Sequence, residues 1–380
     1  MDNVENVENP AAAEATELSD ADFVRRSAAR APAGPPGPGL PESLLWTFGV
    51  LATQVLAGAA VFIAMIVVQI VAGGRPESVR DGMSGEWNVA LLSGTQLIFV
   101  LVAIAAVLLR IRPEPLRKLG VAPIPAVHLV LIPCFLLPAS LVSGQLYTWI
   151  MQVWEMLVEI APALGAFDAF QSMETLTKFA EDASLSVLMA TIVLAPAIGE
   201  ELFFRGIIGR GLVARWGLPA GILLTSIFFA AVHLHPVHAV ALVPLAVAFH
   251  LSYVATRSIL APMLLHGMNN SLAVVTTKLK HPLDVPGVEP TESLSVSLYS
   301  ASVVCMLVVG VLAWKIRVQY RLPDGRVWNP GYPTVEPPPR ELGAVRRCER
   351  TNGWLIAVAA CCVVIFAGLL AYDMWAGTAT

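Results

Sequence analysis

The chain has 380 residues, enough for two or three soluble domains, yet 56% of it is Ala, Val, Ile, Leu, Met, Phe, Trp, Tyr or Cys and only 14% is charged. Ordinary soluble domains carry ~25% charged residues, so this composition excludes a soluble enzyme, a disordered chain and a secreted disulfide scaffold, and it indicates a membrane protein. A net charge of −4 points to no nucleic acid, and five cysteines without a CxxC spacing give neither a disulfide framework nor a zinc knuckle.

Residues 1–43 are rich in Asp, Glu, Ala and Pro and end in AGPPGPGLP; they read as a disordered cytoplasmic tail, without the apolar run of a signal peptide. A hydrocarbon core of ~30 Å takes ~20 apolar helical residues. That yardstick picks out nine spans, at roughly 44–73, 87–109, 124–147, 184–213, 217–234, 237–256, 258–277, 293–314 and 354–376. The expected fold is an all-α polytopic transmembrane bundle of about nine spans. It would occupy 44–314, followed by a basic cytoplasmic loop at 315–353 and an additional C-terminal helix within 354–380.

With the N-terminus cytoplasmic, 19 of the 24 Lys and Arg fall on the cytoplasmic side, the bias that the positive-inside rule demands. Tyr147, Trp149 and Trp154 fall where an interfacial aromatic belt lies. The stretch FDAFQSMETLTKFAED (167–182) has mixed amphipathic periodicity and reads as a helix on the outer surface or a gate for substrate. Residues 321–352, with DGR, NPGY and EPPPRE, read as irregular.

Ionisable side chains deep in a span cost ~2.5 to 3.5 kcal/mol each, so the few present are informative. The run APAIGEELFFRGIIGRGL carries Glu200, Glu201 and Arg205. Glu201 and Arg205 are i and i+4 with the acid N-terminal, the favourable order for an ion pair. Glu200 sits ~100° further round and needs a partner from another helix. Phe229 and His233 share a helix face, as do His266 and Asn270. Glu200 and His233 lie equally far from a break at Trp216/Gly217, so in an antiparallel hairpin both rise ~24 Å to one level at ~1.5 Å per residue. A carboxylate, two imidazoles and an amide suit addition of water to a carbonyl, with Glu as base and His plus Asn donating to the oxyanion.

In order along the chain, EELFFR (200–205), FAAVH (229–233) and HGMNN (266–270) match EExxxR, FxxxH and HxxxN. The sequence resembles the CAAX prenyl protease type II and bacteriocin-processing (CPBP) family of intramembrane endopeptidases, with the likeness covering 184–276. The resemblance implies proteolysis, within the bilayer, of a membrane-associated or lipid-modified polypeptide. By it Glu200 activates water with His233, His266 and Asn270 stabilise the oxyanion, and Glu201 with Arg205 forms the supporting ion pair. Members are described as metalloproteases; Glu200, His233 and His266 supply N/O ligands compatible with a catalytic zinc that keeps a water site open, although no HExxH is present. Membrane lipid and a membrane-associated polypeptide are the implied partners, and the plasma membrane the expected location.

Three rivals stand beside this reading. Ser84 in GMSG matches the GxSG of rhomboid-type serine proteases, but lies in a short loop beside Arg80, Asp81 and Glu86. A non-catalytic scaffold or immunity protein of the same family would keep the polar residues to bond helices together. A transporter would use mid-membrane polar residues, His250 among them, but the chain has no matched hydrophobic halves. His250 reads as a satisfied packing residue, and His235 and His238 as water-facing.

Overall fold

The computed structural model describes residues 35–72, 85–170, 177, 179–180, 182–279 and 294–378. Residues 1–34 of the expected tail, Ser84 with most of its GMSG motif, and half of the 167–182 stretch lie outside the described residues, whereas Leu40–Ser43, expected in the tail, already belong to the first helix, which opens with Pro41 in its first turn. Helices are α1 (Leu40–Val71), α2 (Gly85–Arg110), α3 (Ala126–Ile160), α4 (185–216), α5 (218–231), α6 (Pro236–Thr256), α7 (Leu260–Leu279), α8 (Val296–Lys315) and α9 (Gly353–Thr378). Strands β1 (Val318–Arg321) and β2 (Val345–Cys348) pair antiparallel, with Val318 opposite Cys348.

Among the described residues seven helical runs are long and apolar enough to cross a membrane, which makes this an integral membrane protein. The sequence-based expectation was nine. Two features account for the difference. The run Leu185–Ala231 counts once although it breaks between α4 and α5, and α7, with its His, Asn and Thr residues, is too polar to meet the criterion. Wide apolar faces on α1 and α9 stay uncovered, as at Val55, Leu56, Val364 and Ile365, which suits contact with lipid.

The break is made by Gly217, at φ 79° and ψ 172°, a region essentially closed to residues with a Cβ. Four residues on, Gly221 lies against the backbone of Val213, so close that a Cβ would come within 2.4 Å of the Val213 Cα. Two glycines thus let α5 fold back along α4. α4 itself is not regular: π-helical turns at Met189–Leu194 and Leu202–Gly209 flank a short α stretch, Ala195–Glu201. Such turns recur at functional sites.

Polar contacts gather the connections at two ends. At one, Arg110 binds Glu42 (2.9 Å), Arg340 binds Glu114 (2.9 Å), Arg210 pairs with Glu336 and Tyr253 donates to the Leu119 carbonyl (3.0 Å). At the other, Lys278 donates to the carbonyls of Ala180 (2.7 Å) and Ala183 (2.9 Å), and Gln145 Oε1 accepts from the Leu294 N–H (2.7 Å). The segments expected on the cytoplasmic side therefore meet one another at a single basic end.

The 321–352 loop departs from its irregular reading. β1 and β2 close its base, Val318 and Tyr320 point inward, and Arg321 binds both oxygens of Glu349 (2.8 and 2.9 Å). The alternation of VQYR carried that signal, but a four-residue strand is too short to stand out among Pro and Gly.

Gly217→Ala is expected to cost ~1 to 3 kcal/mol by forcing a Cβ into this backbone region. Thermal unfolding in detergent, compared with Gly49→Ala, whose Cβ would meet nothing within 4 Å, checks it. Equal melting of the two variants would contradict the hairpin argument.

Candidate functional site

The centre of the bundle holds a guanidinium. Arg205, on a π turn of α4, is 0% exposed. Its NH1 group donates to Glu201 Oε1 (2.7 Å), one turn earlier on the same helix, and its NH2 group donates to the Ala246 carbonyl of α6 (2.8 Å). The flat face of the cation lies 4.6 Å from the ring centre of Phe229 and 5.4 Å from that of Phe249. A desolvated cation over aromatic faces gains up to ~2 kcal/mol or more. The Phe of FAAVH is thus the floor under Arg205.

Glu201 binds across helices as well. Its Oε1, the acceptor for Arg205, also accepts from His266 Nδ1 of α7 (2.9 Å), with the imidazole nitrogen as the donor. The His266 ring stacks on Phe249 (4.9 Å between centroids, 12° between planes) and meets Phe229 edge-on at 5.7 Å. With Nδ1 as donor, neutral His266 presents Nε2 as an acceptor.

Glu200 points elsewhere. Its Oε2 is buried without a hydrogen-bond partner among the described residues. The inter-helix partner that spacing assigns to Glu200 goes to Glu201 instead. His233, in the turn between α5 and α6, donates from Nδ1 to the Phe229 carbonyl (3.1 Å), packs 5.3 Å from the Phe229 ring and so also keeps Nε2 as an acceptor. Asn270 donates one N–H to the Ile192 carbonyl (3.0 Å), which lies in the first π turn of α4.

α4, α5 with its turn, and α7 thus bring all six sequence-predicted residues around Phe229 and His266. Sequence reasoning missed Phe249 and the Ala246 carbonyl; they lie i and i+3 on one face of α6, a spacing that any buried apolar helix shows. Glu201 Oε2 and Arg205 Nε are also buried without a partner. A buried polar cluster left partly unsatisfied is poor at adding stability, and such clusters mark sites retained for chemistry.

The nitrogen and oxygen donors suit zinc by type, but among the described residues no three His, Cys, Asp or Glu side chains are grouped to hold one ion. Glu200, His233 and His266 are thus not grouped as a preformed metal centre.

Three other readings change. His235 is not water-facing: it is 1% exposed and its Nε2 meets Asp168 Oδ1 at 3.3 Å. Trp154 is no lipid anchor, because it is buried and donates from Nε1 to the same oxygen (2.9 Å). His250 is buried beside Gly209, but its Nδ1 has no partner among the described residues, so it is not a fully satisfied packing group.

Asp168, through its contacts to Trp154 and His235, ties down the turn that carries His233. Leu234, between His233 and His235, has a left-handed φ of 63°, and the His235 N–H donates to the His233 carbonyl (2.7 Å). The 3-10 helix Pro162–Phe170 supplies the acid that holds this turn closed. Asp168→Ala should cost ~1 to 3 kcal/mol by stranding two buried donors. Thermal unfolding checks it; no loss of stability would mean the clamp is not formed.

A comparison with family models matches residues 182–272 to "Type II CAAX prenyl endopeptidase Rce1-like". No curated protein and no solved structure gives a significant match. The matched stretch runs from the start of α4 into α7 and contains Glu200, Glu201, Arg205, His233, His266 and Asn270. Residues 182–272 are thus similar to the type II CAAX prenyl endopeptidase Rce1-like family, and they lie within a longer polytopic membrane chain.

Proposed function

We propose that the chain is an intramembrane endopeptidase that hydrolyses a peptide bond of a membrane-associated or lipid-modified polypeptide, in CAAX-type or leader-peptide processing. One observation carries the reading. Glu200, with Oε2 buried, makes no ion pair or side-chain hydrogen bond among the described residues, one residue away from a carboxylate whose Oε1 binds both Arg205 and His266.

In this mechanism Glu200 takes a proton from water, whose oxygen attacks the scissile carbonyl carbon. The Nε2 lone pair of His233 orients that water by accepting its other hydrogen. Asn270, with one N–H spent on Ile192, has the other for the oxyanion. Once the C–N bond breaks, Glu200 returns its proton to the leaving amine. Neutral His266 cannot donate to the oxyanion through Nε2, so in this scheme Asn270 takes that part and His266 joins only when protonated.

We assign the basic end to the cytoplasm of a plasma membrane by the positive-inside rule, and the nine spans to the seven apolar runs with α5 and α7 counted separately.

Incubating the purified protein with a pool of membrane-associated peptides, and reading products by mass spectrometry, tests the reading. Wild type should yield defined fragments and Glu200→Gln at least ~10²-fold less, the scale of lost general-base catalysis. Fragments that persist in Glu200→Gln would refute the role of Glu200, and a zinc chelator added to the wild type tests metal dependence in the same assay.

A further inference from the structure

The basic end contains a second concave site that the peptidase chemistry does not use. Residues Trp328–Thr334 fold over the end of α6 and, with Arg257 and Gln319, line a cavity of about 310 Å³. That is the lower end of the ~300 to 1,000 Å³ typical of small-ligand sites. Arg257 caps α6 in a left-handed conformation, φ 49°, which turns the chain toward the loop. Its Nε donates to the Val318 carbonyl (3.1 Å), its NH2 group to Gln319 Oε1 (3.4 Å), and the cation lies 5.2 Å from the centre of the Tyr320 ring.

The NH1 group of Arg257 is buried without a hydrogen-bond partner. All its contacts are to neutral groups. The acids nearby in sequence are taken: Asp324 by Arg326 (2.6 Å), Glu349 by Arg321 (2.8 Å) and Glu336 by Arg210. Burial, and the like charges of Arg317 and Arg346, pull the Arg257 pKa below the usual arginine value, whereas the Tyr320 ring opposes this. A guanidinium so placed gains most from an anion brought from outside, and its fork matches the oxygens of a phosphate.

We propose that the cavity between Arg257 and Trp328–Thr334 binds a phosphate group, drawn by the Arg257 guanidinium and lined by Trp328 and Tyr332. The site lies at the ends of membrane-spanning helices, where phospholipid headgroups lie, so an anionic headgroup and a soluble phosphate ester are the two sources of that group.

The full chain in neutral detergent, titrated separately with dioctanoyl phosphatidylglycerol, dioctanoyl phosphatidylcholine and inorganic phosphate, tests this by thermal shift. Saturable stabilisation by phosphatidylglycerol but not phosphate assigns a headgroup; stabilisation by phosphate as well assigns the phosphate group itself. In Arg257→Gln the affinity should fall roughly tenfold or more, the scale of a lost charged hydrogen bond. Asn329→Asp provides the second variant, since it keeps the Oδ1 acceptor for the Gly331 N–H and adds a negative charge to the cavity wall. It should weaken binding similarly whether or not Arg257→Gln folds. Equal stabilisation by phosphatidylcholine and phosphatidylglycerol, no saturable binding by folded wild type, or unchanged binding by Asn329→Asp would overturn the proposal.

Discussion

A guanidinium sealed from solvent inside a membrane bundle is the constraint around which the centre of this protein is arranged. Arg205 cannot shed its charge, so its neighbours must neutralise it or the helices cannot pack. Glu201 supplies the charge, the Ala246 carbonyl a second acceptor, and the rings of Phe229 and Phe249 a polarisable floor and wall. They come from three elements, so α4, α5 and α6 are fixed relative to one another by one side chain. His266 then binds the far side of the same carboxylate oxygen and ties in α7. Positioning of the reactive groups follows from electrostatic satisfaction of a structural one.

The two adjacent glutamates divide the labour. Consecutive residues on a helix point ~100° apart, so one carboxylate can be engaged while its neighbour looks into different surroundings. Glu201 is held through Oε1 by Arg205 and His266, whereas Glu200 takes part in no ion pair or side-chain hydrogen bond among the described residues. The π turns on both sides of Ala195–Glu201 shift the phase of the helix. They also put the Ile192 carbonyl where Asn270 can bond it. At the basic end the 317–352 segment ties together the ends of α2, α6 and α8, and the cavity at Arg257 belongs to that strap.

Much of this was legible in the residues. The Glu201–Arg205 pair follows from i and i+4 spacing, the shared face of Phe229 and His233 from the same rule, and the hairpin from Gly217. What stayed hidden depended on long-range partners. Nothing in LHLHP tells that His235 will be buried against an aspartate 67 residues earlier. Nor does an apolar helix containing VAFH reveal that Phe249 will stack on an imidazole of the next helix. Which glutamate would reach α7 could not be read at all, because the π turns change the angular count on which helix-face arguments rest. The β pair was lost for another reason: four-residue strands give too few alternations to rise above the loop around them.

The central claim, that Glu201 is structural and Glu200 chemical, is tested most directly by unfolding Glu200→Gln and Glu201→Gln in parallel under the same detergent conditions. Removing the Glu201 charge leaves Arg205 buried without a counter-ion, which should cost ~3 to 5 kcal/mol and reduce the folded yield. Glu200→Gln, with no ion pair to lose, should unfold close to the wild type. Equal destabilisation of the two variants, or a larger loss for Glu200→Gln, would contradict the account.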